Sequence, residues 1–85
     1  MIWNMKKIIK GKIYNTEKAE VISQWKGHDE TITIYRTEKG NFFRHIVYKP
    51  VEALHEMTEN EVLEWLAKHD LEKTLELFSH KLEEA

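Results

Sequence analysis

A regular alternation of residue types in the middle of the chain constrains its fold most strongly. Residues 31–37 read Thr-Ile-Thr-Ile-Tyr-Arg-Thr, and Phe42–Tyr48 is rich in aromatic and β-branched residues. Both patterns are typical of β-strands. Glu38-Lys39-Gly40 between them fits a type I turn with Gly40 in the left-handed conformation. The pattern therefore predicts a β-hairpin in which Thr37 lies opposite Asn41.

This register assigns each side chain of the hairpin to one face. The first face carries Ile32, Ile34, Phe42, Ile46 and Tyr48. The second face carries Thr33, Tyr35, Phe43, His45 and Val47. Side chains alternate along a strand, so a slip of one residue in either strand would exchange its two faces.

Further β-structure is expected before the hairpin. Residues 6–14 have apolar side chains on both sides of Gly11, which indicates a short strand or a strand pair bent at that glycine. Residues 15–20 form a polar turn, and residues 21–26 read as another strand. Pro50 ends the last strand, and we expect Val51–Met57 to form a helical turn.

The last third of the chain changes to a helical pattern. Thr58 is a suitable N-cap, and Glu61 stands three residues later at the capping-box position. An apolar stripe of Val62, Leu63 and Leu66 follows. Asp70 interrupts this stripe and can cap a second helix, whose apolar stripe would be Leu71, Leu75, Phe78 and Leu82.

These elements predict an α+β fold. We expect a small antiparallel β-sheet of three to four strands, followed by two C-terminal helices packed on one face. Residues 1–85 would form a single domain, with residues 6–49 as the sheet part and residues 51–85 as the helical part. Residues 1–5 fit either a disordered leader or a segment whose apolar side chains pack. A sheet covered on one face only would expose Tyr35, Phe43 and Val47, which would suit a homodimer or a partner-binding patch.

Charge divides the chain at the same point as the structural pattern. Residues 1–50 carry ten Lys/Arg and five Asp/Glu, a net charge of +5. Residues 51–85 carry three Lys/Arg and ten Asp/Glu, a net charge of −7. Opposite potentials on two parts of one small domain steer its association with charged partners.

The composition favours a binding protein over an enzyme. The chain has no cysteine, which removes disulfides, thiolate metal sites and cysteine catalysis, and which suits the cytoplasm. Its five histidines form no zinc signature, and there is no nucleophile elbow or phosphate-binding glycine loop. We therefore expect no catalytic residues, no cofactor and no metal, and the short apolar runs predict no membrane span.

Two surfaces are candidates for binding. The acidic helices can present Glu61, Glu64, Glu72 and Glu76 to a basic surface of a partner protein, or mimic the phosphates of a nucleic acid. The alternative is a nucleic-acid contact through the basic sheet, using Arg36, Lys39, Arg44, Tyr35 and Tyr48. Either charged set would also be found on an ordinary solvated surface.

Several segments resemble one group of small proteins. Residues 11–22 (GKIYNTEKAEVI) are similar to a G-K-x-Y-[DN]-T-E-x-A-E-x-[IV] opening in accessory proteins of bacterial phages and conjugative elements. Residues 32–43 (ITIYRTEKGNFF) resemble that group's L-Y-[RK]-x-x-x-G-x-[FY]-F hairpin. Residues 58–65 and Leu71–Phe78 are similar to its closing helices. The group usually has a glycine-rich insert before the helices, and only residues 46–57 stand in that place here.

The resemblance implies a context rather than a chemistry. It implies a mobile-element accessory protein, and no catalytic residue is carried over. Proteins of this size in that setting often bind host machinery, including anti-CRISPR proteins that block a nuclease. The expected function is therefore a non-enzymatic module that inhibits a host defence protein or ribonucleoprotein complex through its acidic helices. A small nucleic-acid-binding regulator is the alternative.

Overall fold

The chain forms six strands and two helices. The computed structural model describes residues 5–82. In chain order the elements are β1 (Lys6–Ile9), β2 (Lys12–Asn15), β3 (Glu20–Lys26), β4 (Glu30–Arg36), β5 (Phe42–Tyr48), β6 (Val51–Met57), α1 (Glu59–His69) and α2 (Leu71–Phe78), with a 3₁₀ turn at Ser79–Lys81. The α+β class is confirmed. The predicted leader lies outside the described residues, apart from Met5. No helix within residues 5–82 is long and apolar enough to cross a membrane.

The larger sheet has four antiparallel strands in the order β3-β4-β5-β6. The predicted register of the central hairpin is confirmed, because the backbone N–H of Thr37 donates to the carbonyl of Asn41 at 2.8 Å and Tyr35 lies opposite Phe43. Gly40 in the connecting turn has a φ of +84°, the left-handed conformation that the turn requires. The predicted division of side chains between the two faces follows from this register.

The prediction of a helical turn at Val51–Met57 is wrong. This segment is β6, and all seven of its residues pair with β5. A cis peptide bond joins Lys49 to Pro50 in the connecting turn. The segment escaped recognition because its carboxylates, which are unusual in a strand, have tertiary partners. Glu52 accepts from His45 at 2.7 Å, and Glu56 forms an ion pair with Lys10 at 2.8 Å.

The strand pair predicted around Gly11 is confirmed as a separate two-stranded sheet. β1 and β2 are antiparallel, with Ile8 opposite Ile13. The two residues of the tight turn, Lys10 and Gly11, have φ values of 51° and 76°. A two-residue hairpin loop of this type needs positive φ at both positions, which Gly11 provides without steric cost.

The second face of the larger sheet is covered in part by this small hairpin. Tyr14 of β2 forms a buried cluster with Tyr35, Phe43 and Leu54. The Phe43 ring stacks on Tyr35 at 4.9 Å and meets the edge of Tyr14 at 5.4 Å between centroids. The expectation that Tyr35 and Phe43 lie exposed is therefore wrong, because the small hairpin covers them, whereas Val47 is partly exposed.

The helices begin where the sequence predicts. Thr58 and Glu61 form the full capping box, with hydrogen bonds of 2.8 and 3.1 Å. Asp70 caps α2 by accepting from the backbone N–H of Lys73 at 3.2 Å. Val62, Leu66 and Phe78 form a core cluster with Ile22 and Ile34 of the sheet.

The predicted apolar stripe of α2 is wrong in part. Phe78 is buried, but Leu71, Leu75 and Leu82 are exposed, and Thr74 is buried instead. The Thr74 hydroxyl donates to the carbonyl of Asp70 at 3.0 Å, so its burial leaves no polar group without a partner. The helix therefore turns Thr74 inward and leaves two leucines facing outward.

Candidate functional site

Glu61 is a structural carboxylate as well as a surface charge. Its Oε1 accepts a hydrogen bond from the backbone N–H of Thr58, and this bond lowers the pKa of the carboxyl. The charge of Glu61 also lies at the N-terminus of α1, where the helix dipole favours an anion. Any test of Glu61 in partner binding must therefore preserve the cap.

The other three predicted carboxylates lie on the exposed sides of the two helices. Glu76 forms an ion pair with Lys73 at 2.8 Å, and this contact raises the pKa of Lys73. Glu64 and Glu72 are exposed and make no ion pair within residues 5–82. The spacing of Glu64 and Lys68 suits an ion pair, yet none forms. Three of the four predicted carboxylates, including the capping Glu61, therefore make no salt bridge to the described residues.

Two leucines accompany these carboxylates on α2. Leu71 is 63% exposed and Leu75 is 52% exposed. Because they stand four residues apart on a helix, they are neighbours on its surface. Glu72 directly follows Leu71, and Glu76 directly follows Leu75. These four residues form a continuous acidic and apolar strip, here called the α2 outer face. Sequence reasoning missed the leucines because their spacing matches that of a buried stripe.

The residues of the alternative nucleic-acid surface do not form one patch. Strand alternation places Tyr35 and Arg36 on opposite faces. Tyr35 is buried, which raises the pKa of its hydroxyl, and it stacks on Phe43. Both Arg36 guanidinium contacts, at 2.7 and 3.2 Å, go to one carboxylate oxygen of Glu20.

The remaining three members of that set are also dispersed. Arg44 lies on the face opposite Tyr35, and its buried Nε has no hydrogen-bond partner within the described part of the chain. Lys39 is exposed in the turn between β4 and β5, and Tyr48 is half exposed at the end of β5. Tyr35 and Tyr48 both line the same cavity, but the Tyr35 ring is buried and is not available for stacking on a base.

A polar cavity of about 740 Å³ lies over the part of the second face that the small hairpin leaves open. Its floor includes Thr33 and His45, which are opposite one another in β4 and β5. Gln24 donates to the Thr33 hydroxyl at 3.0 Å, and His45 is buried with its Nε2 2.7 Å from Glu52. Gln24, Thr33 and His45 therefore have hydrogen-bond partners within the protein.

Neither metal-binding residues nor similarity to known proteins adds information about the site. Among residues 5–82, no group of three or more His, Asp or Glu side chains is arranged to hold a metal ion. Comparisons of the chain with protein-family models, with curated proteins and with solved structures found no match. The α2 outer face, together with Glu64 of α1, is the candidate site.

Proposed function

We propose that this protein is a non-enzymatic binding module that docks its helical half on a basic surface of a partner protein. The observation that carries the proposal is the α2 outer face, where two leucines are more than half exposed beside two carboxylates. Glu64 on α1 and Glu72 on α2 have no ion pairs with other residues of the 5–82 range to release before a partner binds.

The two residue types supply different parts of the interaction. Burial of apolar surface is worth about 25 cal/mol per Å², so Leu71 and Leu75 provide affinity when a partner covers them. The carboxylates attract a basic surface, accelerate encounter and disfavour acidic partners. An amphipathic helix in a groove uses anchors at this i, i+4 spacing. Carboxylates repel phosphates, so this face suits a protein rather than a nucleic acid as its direct contact.

The biological setting is part of the proposal. The resemblance of residues 11–22 and 32–43 to accessory proteins of phages and conjugative elements points to a partner in a bacterial defence system. A nuclease or ribonucleoprotein complex of the CRISPR type presents basic grooves that normally hold nucleic acid. Carboxylates on α1 and α2 would occupy such a groove where phosphates otherwise bind, and the protein would act as an inhibitor in the cytoplasm.

The test is affinity capture from a host lysate with matched charge variants. The site variant carries Glu64→Lys, Glu72→Lys and Glu76→Lys, and leaves Glu61 in place to preserve the cap. The control carries Glu17→Lys, Asp29→Lys and Glu38→Lys, which change the net charge equally at exposed positions of the basic half. A partner that survives nuclease treatment, is retained by the control and is lost by the site variant supports the proposal.

Two results would overturn it. Equal retention by both variants would show that the acidic helices are not the contact surface. Recovery of nucleic acid alone, lost after nuclease treatment, would assign binding to the basic half instead.

The leucines need a separate variant, because charge and burial contribute independently. Leu71→Gln with Leu75→Gln keeps good helix formers and should weaken capture of the same partner. Sedimentation equilibrium of the wild type and this variant tests a second copy as the occupant. If the wild type is a homodimer and the substitutions dissociate it, the α2 outer face is a self-association surface and not a binding site for another protein.

A further inference from the structure

A second cavity lies between the small hairpin and the turn that joins β4 to β5. Its volume is about 540 Å³, and its lining includes Gly11, Ile13, Tyr14, Asn15 and Asn41. Four lysines also line it: Lys6, Lys12, Lys18 and Lys39. These four residues define the basic groove. They come from positions as distant as 6 and 39, so only the folded chain brings them together.

The basic groove has an excess of positive charge. Glu38 is the single carboxylate in its lining. Lys6, Lys18 and Lys39 make no ion pair within residues 5–82, and Lys12 donates only to the neutral amide oxygen of Asn41, at 3.5 Å. Elsewhere on the molecule, Lys10, Lys73 and Lys81 each pair with a glutamate. Four ammonium groups beside one carboxylate give a net positive potential that attracts an anion.

The chemistry of the lining suits the phosphates of a nucleic acid backbone. Lysine side chains are flexible point charges that bind successive phosphates along a backbone. The one aromatic residue of the lining, Tyr14, is only 3% exposed and occupied in the core, so no ring is available for stacking on a base. Ile13 is 64% exposed and offers an apolar contact for a sugar. The groove is far too small for a duplex but can follow a single strand.

We propose that the basic groove binds the phosphate backbone of a single-stranded nucleic acid without reading its base sequence. This site differs from the dispersed arginine and tyrosine set predicted from the sequence, with which it shares only Lys39. It goes beyond the proposed protein-binding function, and its residues lie on elements other than α1 and α2. Failure of either proposal therefore leaves the other standing.

The experiment measures the affinity of the purified chain for a labelled single-stranded oligonucleotide by fluorescence anisotropy over a range of salt concentrations. Each phosphate neutralised in a single strand contributes about −0.7 to the slope of log K against log salt concentration. The variant Lys6→Gln, Lys18→Gln, Lys39→Gln should therefore reduce the magnitude of the slope by about 2. A variant with Lys26→Gln, Lys68→Gln and Lys73→Gln loses equal charge outside the groove and should retain the wild-type slope.

A methylphosphonate oligonucleotide of the same sequence separates phosphate recognition from base recognition. Its backbone is neutral, so it should not bind. Three results would overturn the proposal: binding of the neutral oligonucleotide as tightly as of the phosphodiester, an unchanged slope in the groove variant, or an equal change in both lysine variants. A melting temperature equal to that of the wild type in both variants would show that the fold is intact. All the substituted lysines are exposed except Lys73, which is partly buried.

Discussion

Covering the second sheet face with the small hairpin has a measurable consequence at two adjacent residues. Ile13 and Tyr14 are neighbours in β2, so their side chains point in opposite directions. Ile13 is 64% exposed, whereas Tyr14 is 3% exposed and packs against Phe43. Substitution of each by threonine introduces the same β-branched residue into the same strand. The two variants therefore differ in which side chain is lost: the exposed side chain of Ile13 or the buried side chain of Tyr14.

The expected magnitudes are well separated. A buried aromatic side chain removes about 150–250 Å² from water, worth roughly 4–6 kcal/mol at 25 cal/mol per Å². Residual burial in the unfolded chain reduces such sums by roughly 10–40%. We therefore expect Tyr14→Thr to lower the free energy of unfolding by about 3–5 kcal/mol, as large-to-small aromatic substitutions do. Ile13→Thr should change it by less than about 0.5 kcal/mol.

Urea denaturation followed by circular dichroism measures both values. An 85-residue domain has a total stability of about 4–13 kcal/mol at ordinary values per residue, so Tyr14→Thr can approach the limit of folding. Tyr14→Leu is the milder companion, since it keeps an apolar side chain and loses mainly the ring contact, about 0.5–1.5 kcal/mol. Costs for Tyr14→Thr and Ile13→Thr that agree within about 1 kcal/mol would refute the docked hairpin.

Three further results are expected. The pKa of Glu61 is lowered from its ordinary value of 4.5, so the ionised carboxylate stabilises the fold above that pH, and this stabilisation is lost as the pH falls. In thermal melts, the difference in melting temperature between the wild type and Glu61→Gln should therefore shrink below pH 4.5. Asp70→Ala should lower the free energy of unfolding by about 2–4 kcal/mol in urea denaturation, because it removes the cap of α2 and a second hydrogen bond. The second bond joins the buried Ser23 hydroxyl to Asp70 Oδ2 at 2.8 Å, and without it the hydroxyl has lost its acceptor. Adding Ser23→Ala should recover part of the lost stability. Leu71→Gln with Leu75→Gln should change stability by less than about 1 kcal/mol, and a cost above about 2 kcal/mol would show that both leucines belong to the core.

The candidate site was predictable only in its charges. Glu64, Glu72 and Glu76 are exposed as their helical spacing suggests. The leucines of the α2 outer face were assigned to the core, because a stripe at positions 71, 75, 78 and 82 has the correct period for burial. Periodicity identifies an apolar side of a helix, but it does not fix the rotation of the helix about its axis within a few tens of degrees. Contacts with the sheet set that rotation, and they place Thr74 in the core instead of Leu71 and Leu75.

The sequence by itself determined the features that depend on neighbouring residues. Alternation specified the β4–β5 hairpin and its faces, positive φ at Gly40 completed the turn, and the capping box of Thr58 and Glu61 set the start of α1. The turn and the cap involve partners within a few residues, and the strand pairing extends outward from the turn, so local geometry is sufficient.

Tertiary structure decided everything whose partners lie far away along the chain. β6 is a strand because β5 pairs with it and because Lys10 and His45 contact its carboxylates. The lysines of the basic groove converge because the small hairpin folds back over the second face of the sheet. Which distant segments meet depends on the free energy of packing the whole domain, and no local pattern encodes that sum.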